Sequence, residues 1–175
     1  MDISNQHRQI QNLMIEAGQK ALSMREEGQL ETSFKSADEN PYSIVTEADK
    51  ESSRILTTGL QELFPDTMII SEEQDAHSET GEYDNAIIID PIDGTRGFSS
   101  GGNNFGVLVG FVENKNPVRG YAYYPGRTKS FYFTHPSTKG AFSQVAKTTD
   151  GLTDFGSSIS LENKPNKQHS NRIRI

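Results

Sequence analysis

Two aspartates three positions apart, Asp90 and Asp93, stand in the run IIIDPIDGT from Ile87 to Thr95. The apolar stretch predicts a strand that delivers Asp90 at its carboxyl end. Pro91 fixes the next φ angle, and Gly94 lets the backbone turn tightly. Thr95 then opens a helix or turn whose free N–H groups point outward. Two carboxylates therefore converge beside backbone suited to an anion. With no His or Cys among them, these ligands favour a hard cation such as Mg²⁺, Mn²⁺ or Ca²⁺. Asp-Pro and Asp-Gly are also ordinary turn formers; the preceding apolar strand is what favours a site.

Two further acidic segments lie upstream. IISEE, Ile69 to Glu73, is again an apolar stretch ending in carboxylates, Glu72 and Glu73. By itself it also reads as a solvated loop. SIVTEADK, Ser43 to Lys50, places Asp49 in the first turn of a helix. Thr46 followed by Asp49 resembles a capping box with Asp in place of Glu, so capping alone accounts for this pair.

These groups need elements to hold them. Ile10, Leu13, Met14, Ala17 and Ala21 recur at helical spacing and predict an amphipathic helix over roughly the first 25 residues, with Gly28 as its stop. Glu31 to Pro41, including Lys35, reads as a polar loop. A second helix begins near Thr46, with Ile55, Leu56, Leu60 and Leu63 on its apolar face and Pro65 ending it. Strands follow at 67–71, 86–90, 107–112, 118–124 and 130–134, with turns at 114–117 and 125–127. The unbroken run AIIID predicts a strand covered on both faces. Two helices followed by a largely antiparallel sheet give the α+β class.

From Lys147 the chain turns polar and then ends in NRIRI, which alternates like the start of a strand. The expected division is an N-terminal α+β metal-binding domain over 1–146, then a polar linker and the start of a second domain over 147–175. A net charge of −7 argues against nucleic-acid polymers and anionic membranes as partners. Cysteine is absent, which excludes disulfides and thiolate metal sites. The N-terminus lacks the pattern of a signal peptide, so the cytoplasm is the expected compartment. His7, His77, His135 and His169 have no metal-ligand spacing and read as surface residues. Tyr121, Tyr123, Tyr124, Phe131, Tyr132 and Phe133 read as core and sheet face.

The ordered set of Asp49 at a helix start, the Glu72–Glu73 pair after a strand, and DPIDGT after another resembles the inositol monophosphatase family. That family includes 3'(2'),5'-bisphosphate nucleotidases and is related to fructose-1,6-bisphosphatases. The resemblance runs from about Ile10 to Phe142. It implies the N-terminal part of a layered αβαβα sandwich, and hydrolysis of a small phosphate monoester by a Mg²⁺-activated water, with Mn²⁺ as the alternative ion. Glu72, Asp90, Asp93 and the carbonyl of Ile92 are the implied metal ligands. Glu72 would also hold the attacking water. The resemblance further implies that Thr95 would hydrogen-bond Asp49, and that this pair would orient and help deprotonate the water. Glu72, Ile92, Asp93 and the backbone of Gly94 and Thr95 would border the substrate, and Lys35 would lie near the metal.

Two features depart from the family pattern. The chain contains no Trp and so lacks the family's downstream W-D-x-A-A motif, which carries a further metal ligand. The expectation is therefore an incomplete enzyme, active as a homodimer or with a C-terminal half, or else an inactive metal-binding fragment. The family's inositol monophosphatases read D-G-T-x-N-F, whereas here Asp93 to Phe98 reads D-G-T-R-G-F, nearer the bisphosphate nucleotidase branch. A haloacid-dehalogenase phosphatase, built on D-x-D-G-T, is disfavoured because two residues separate these aspartates.

Overall fold

A computed structural model of the chain describes residues 3–34, 44–73, 83–126, 129–135, 138–149, 152–155 and 159–160. Helix α1 spans Ile3–Glu26 and helix α2 spans Glu47–Leu63. Ile10, Met14, Ala17 and Ala21 of α1 are fully buried, as their spacing requires. The helix ends where Gly28 adopts φ 72° and its N–H bonds the Arg25 carbonyl at 3.1 Å. In α2, Leu56 and Leu60 are fully buried, and Ser52 Oγ donates to the Ala17 carbonyl of α1 at 3.2 Å.

The strands are β1 (Thr32–Phe34), β2 (Ile44–Thr46), β3 (Met68–Ser71), β4 (Asn85–Asp93), β5 (Gly106–Glu113), β6 (Asn116–Tyr124), β7 (Ser130–His135), β8 (Thr138–Thr149), β9 (Leu152–Phe155) and β10 (Ile159–Ser160). A short helix, α3 (Thr95–Ser99), lies between β4 and β5. Among the described residues the main sheet has the order β10-β8-β7-β6-β5-β4-β3, with β9 on β8. Every pair is antiparallel except β3 with β4. This is the α+β arrangement: helices on a mostly antiparallel sheet.

The core lies between the helices and one sheet face. Ile87, Ile89, Val107, Val109, Phe111, Tyr121, Tyr123, Phe131 and Phe133 point into it beside Ile10, Met14, Leu56 and Leu60. Tyr123 stacks on Phe131 with centroids 4.4 Å apart. Each such side chain contributes about 1.5–3 kcal/mol relative to exposure.

Several sequence expectations require correction. Thr32–Phe34 is not loop: it pairs antiparallel with Ile44–Thr46. Its polar composition hid it, because a two-stranded ribbon needs no apolar run. β4 was expected to be covered on both faces, yet Ile88 is 48% exposed and Tyr132 43% exposed. Successive side chains alternate between faces, so the run Ile87–Ile88–Ile89 places its middle residue away from the helices. β8 also runs through Thr149 into the polar segment. The β5–β6 turn is tighter than 114–117: Asn114 and Lys115 take positive φ and β6 starts at Asn116. His7 is half-buried rather than a surface residue: its Nδ1 shares a 3.2 Å hydrogen bond with the Tyr121 hydroxyl, and its ring lies 4.5 Å from that of Phe133. Tyr124 and Tyr132 lie outside the main core. The NRIRI segment, Lys35, His77 and His169 lie outside the described residues. No helix of the described residues is long and apolar enough to cross a membrane.

Candidate active site

Asp49 is fully buried in the first turn of α2. Its Oδ2 accepts from the Thr46 backbone N–H at 2.8 Å and from the Thr46 hydroxyl, and Thr46 is the N-cap. A buried carboxylate is tolerated only when donors surround it. The capping box supplies two, and a third comes from elsewhere in the chain: Thr95 Oγ1 donates to Asp49 Oδ1 at 2.9 Å.

Thr95 is placed by β4 and the turn after it. Gly94 is the N-cap of α3 at φ 90°, a left-handed conformation that disfavours side chains. A Cβ at Gly94 would make ordinary contact with the Asn104 carbonyl oxygen at 3.4 Å, so the φ angle is what calls for glycine. Thr95 Oγ1 lies 2.9 Å from the Ile92 carbonyl oxygen as well. One hydroxyl has one hydrogen. A carboxylate at Asp49 would be the stronger of the two acceptors, and a hydrogen placed there would leave the Ile92 carbonyl open to a cation.

The other candidate ligands surround this link. β4 does not stop at Asp90. It continues through Pro91 and Ile92 to Asp93, which pairs with Gly106, and the register shifts between Asp90 and Asp93. That irregularity re-aims the two carboxylates. Asp90 is half-buried and Asp93 exposed. Asp90 has interactions of its own, but its Oδ1 is a buried oxygen that no hydrogen bond reaches. Glu72 follows β3, and its N–H bonds the Ile89 carbonyl at 3.0 Å. The parallel register Ser71↔Ile89 carries Glu72 to the level of Asp90. A buried 2.6 Å hydrogen bond between Ser53 and Ser71 anchors this end of β3 to α2.

The structure thus joins Asp49, Thr95 and Ile92 directly and sets Glu72, Asp90 and Asp93 on neighbouring strand ends. It does not close the carboxylates into a cage. Among the described residues no three His, Asp or Glu side chains are grouped closely enough to hold a metal ion. The donor set nevertheless fits Mg²⁺ or Mn²⁺ in type, since every atom offered is a carboxylate or carbonyl oxygen.

An open cavity of ≈ 800 Å³ adjoins this end of β4, lined by Asp93, Gly94, Asn104, Phe105, Ala122, Tyr124 and Tyr132. Tyr124 and Tyr132 meet edge to face with centroids 5.9 Å apart. Burial raises the Tyr124 hydroxyl pKa above its ordinary value, and the negative charges of Asp93 and ionised Tyr132 add to the effect. Sequence reading had assigned these tyrosines to the sheet and had not singled out Asn104 or Phe105. Their only signal was strand alternation, which puts Tyr124 and Tyr132 on the face opposite Tyr123.

Fold and site together define a class, and the chain belongs to the inositol monophosphatase family, whose model matches residues 4–173. Members of this family are phosphatases. A fructose-1,6-bisphosphatase/inositol-1-monophosphatase of Thermotoga maritima is 38% identical over 99 residues, 57% of this chain and 36% of that protein. A 3'(2'),5'-bisphosphate nucleotidase CysQ of Haemophilus influenzae is 33% identical over 115 residues, 63% of this chain and 43% of that protein. The crystal structure of CysQ from Bacteroides thetaiotaomicron superposes with a TM-score of 0.64 at 28% identity, covering 95% of this chain and 60% of that one. The match spans less than half the length of the two curated relatives.

Proposed function

We propose that the protein is the N-terminal portion of a Mg²⁺-dependent phosphatase that hydrolyses small phosphate monoesters by direct attack of water. The observation that carries this reading is the 2.9 Å bond from Thr95 to the buried Asp49. A buried carboxylate that orients a hydroxyl beside exposed carboxylates is an arrangement for moving a proton.

Glu72, Asp90, Asp93 and the Ile92 carbonyl would hold the cation. When bound, Mg²⁺ or Mn²⁺ neutralises substrate charge and makes water more acidic. Thr95 gives its own hydrogen to Asp49, so its oxygen is left to accept a hydrogen bond from the attacking water. As the water's oxygen bonds to phosphorus and the ester oxygen departs as an alkoxide, the water's proton passes to Thr95 and the threonine's proton to Asp49, and a solvent water protonates the alkoxide. Backbone N–H groups of Gly94 and Thr95 would hold phosphate oxygens.

Inositol monophosphates and 3'-phosphoadenosine 5'-phosphate are the leading substrates. Two observations favour the nucleotide: Gly97–Phe98 in the D-G-T-R-G-F run, and the aromatic wall of Phe105, Tyr124 and Tyr132 beside Asp93. A second reading is a metal-binding fragment without turnover, favoured by a match that covers only 36% and 43% of the two curated relatives. On that second reading, turnover would need a second copy or a C-terminal half. The test is phosphate release by the 175-residue chain from inositol 1-phosphate and from 3'-phosphoadenosine 5'-phosphate, with Mg²⁺ and with chelator. Mg²⁺-dependent release supports the enzyme, and the preferred ester selects the branch. A folded chain that binds Mg²⁺ yet releases nothing supports the fragment.

A further inference from the structure

Arg25 closes the last turn of α1, far in sequence from every residue of the candidate site. A cation there is ordinarily explained by the helix dipole. Here the guanidinium reaches across to another element. Nη1 donates to the Gly102 carbonyl at 2.6 Å and, at a longer 3.4 Å, to the Phe98 carbonyl. Nη2 donates to Asn103 Oδ1 at 2.9 Å. The guanidinium carbon lies 4.9 Å from the Phe98 ring centroid and 5.8 Å from that of Phe105. Both rings are buried and meet edge to face at 4.7 Å.

All these partners belong to α3 or to the segment that returns from α3 to β5. That segment is tightly bent: Gly102 N–H bonds the Gly97 carbonyl at 2.8 Å, and a Cβ at Gly102 would stand 2.7 Å from the same oxygen. Its far end backs the site. Asn104 and Phe105 line the cavity with Asp93 and Gly94, and the Asn104 carbonyl faces Gly94. The returning segment thus fixes where the Gly94 turn sits, and Arg25 fixes the returning segment. The acceptors are two carbonyls and an amide oxygen rather than a carboxylate, so the guanidinium matches the shape of this loop instead of neutralising a charge. Lysine cannot do this, because it lacks the planar fork and the stacking face.

We propose that Arg25 is a positioning residue for the phosphate-holding turn at Gly94–Thr95, acting through Phe98 and the 102–105 segment. This rests on the phosphomonoesterase reading. It separates two properties of the site, because Arg25 touches the segment behind the turn and none of Glu72, Asp90 or Asp93.

The experiment measures Mn²⁺ affinity by electron paramagnetic resonance and inorganic phosphate affinity by calorimetry in the presence of Mg²⁺. Wild type, Arg25→Met, Arg25→Lys and Asn103→Ala are compared, each first checked for native circular dichroism. The expected result is Mn²⁺ affinity within about twofold of wild type in all variants. Phosphate affinity is expected to fall about tenfold in Arg25→Met, since small misplacements in a binding turn are costly. Arg25→Lys should recover only a minor part, and Asn103→Ala should lie between Arg25→Met and wild type. Unchanged phosphate affinity in a folded Arg25→Met overturns the proposal, as does full recovery by lysine. If Arg25→Met does not fold, Asn103→Ala decides by the same split, and unchanged phosphate affinity there overturns the proposal. A wild-type chain that binds neither Mn²⁺ nor phosphate overturns the phosphatase reading and this inference together.

Discussion

At the residue scale, Thr95 is the most informative position. Its hydroxyl bridges a buried acid and the strand that carries the candidate metal ligands. Thr95→Val keeps shape and removes the hydrogen bond. In a preparation that shows Mg²⁺-dependent turnover, we expect kcat to fall about a hundredfold, the scale of a lost proton-transfer group. Thr95→Ser should restore most of it. Denaturant titration of Thr95→Val should also show a loss of about 1–3 kcal/mol, because Asp49 Oδ1 loses a donor in a buried place. Turnover equal to wild type would remove Thr95 from the mechanism. The Thr46–Asp49 capping box, the Gly94 turn and the position of Thr95 after it were all legible in the sequence. Each depends on residue type at a short, fixed spacing. The Arg25 contacts were not legible, because nothing local tells a cation at a helix end that its acceptors lie more than 70 residues away.

At the element scale, β4 divides the molecule into a covered and an open side. Ile87 is fully buried and Ile88 is 48% exposed. Ile87→Thr should cost about 2–3 kcal/mol by urea denaturation, from lost packing and a buried hydroxyl. Ile88→Thr should stay within about 0.5 kcal/mol of wild type. Equal costs would mean that the far face is covered in solution. Sequence alone read three consecutive isoleucines as a doubly covered strand, because an apolar run carries no mark of which face lacks a partner. The same strand was read as ending at Asp90, where the apolar residues stop. It continues because Asp93 still pairs with Gly106 after the register shift, and pairing depends on backbone rather than side chains.

The aromatic face of β6 gives a second test at this scale. Burial raises the Tyr123 pKa from 10.0 to about 12, and it also raises that of Tyr121. An unfolded chain therefore loses these protons at lower pH than the folded one. Stability falls with rising pH wherever the unfolded state binds fewer protons. The contribution is complete below about pH 10 and is lost by about pH 12. Urea midpoints measured across that window should fall in wild type and fall less steeply in Tyr123→Phe. A flat wild-type profile would contradict the burial of these hydroxyls.

At the scale of the whole molecule, the candidate ligands come from separate strand ends, so only the folded chain can offer them together. Binding that favours the folded state must raise its stability, by about 2.7 kcal/mol at one hundred times the dissociation constant. For a chain of this size that is a rise in Tm of roughly 5–10 °C. Thermal unfolding with Mg²⁺ and with chelator should show this rise in wild type and not in Asp90→Asn, whose fold should be unchanged. An identical rise in both would place the ion elsewhere.

Asp49 ties these scales together. The carboxylate that receives Thr95 is the same one that caps α2 through Thr46. A replacement there would break the proposed proton route and also loosen the start of a core helix. Substitutions at position 49 are therefore expected to cost fold stability as well as the proposed proton route. If the proposed reaction holds, a relative that kept this architecture without turnover is expected to differ at Asp90 or Glu72 and to retain the acid at position 49 for its capping role.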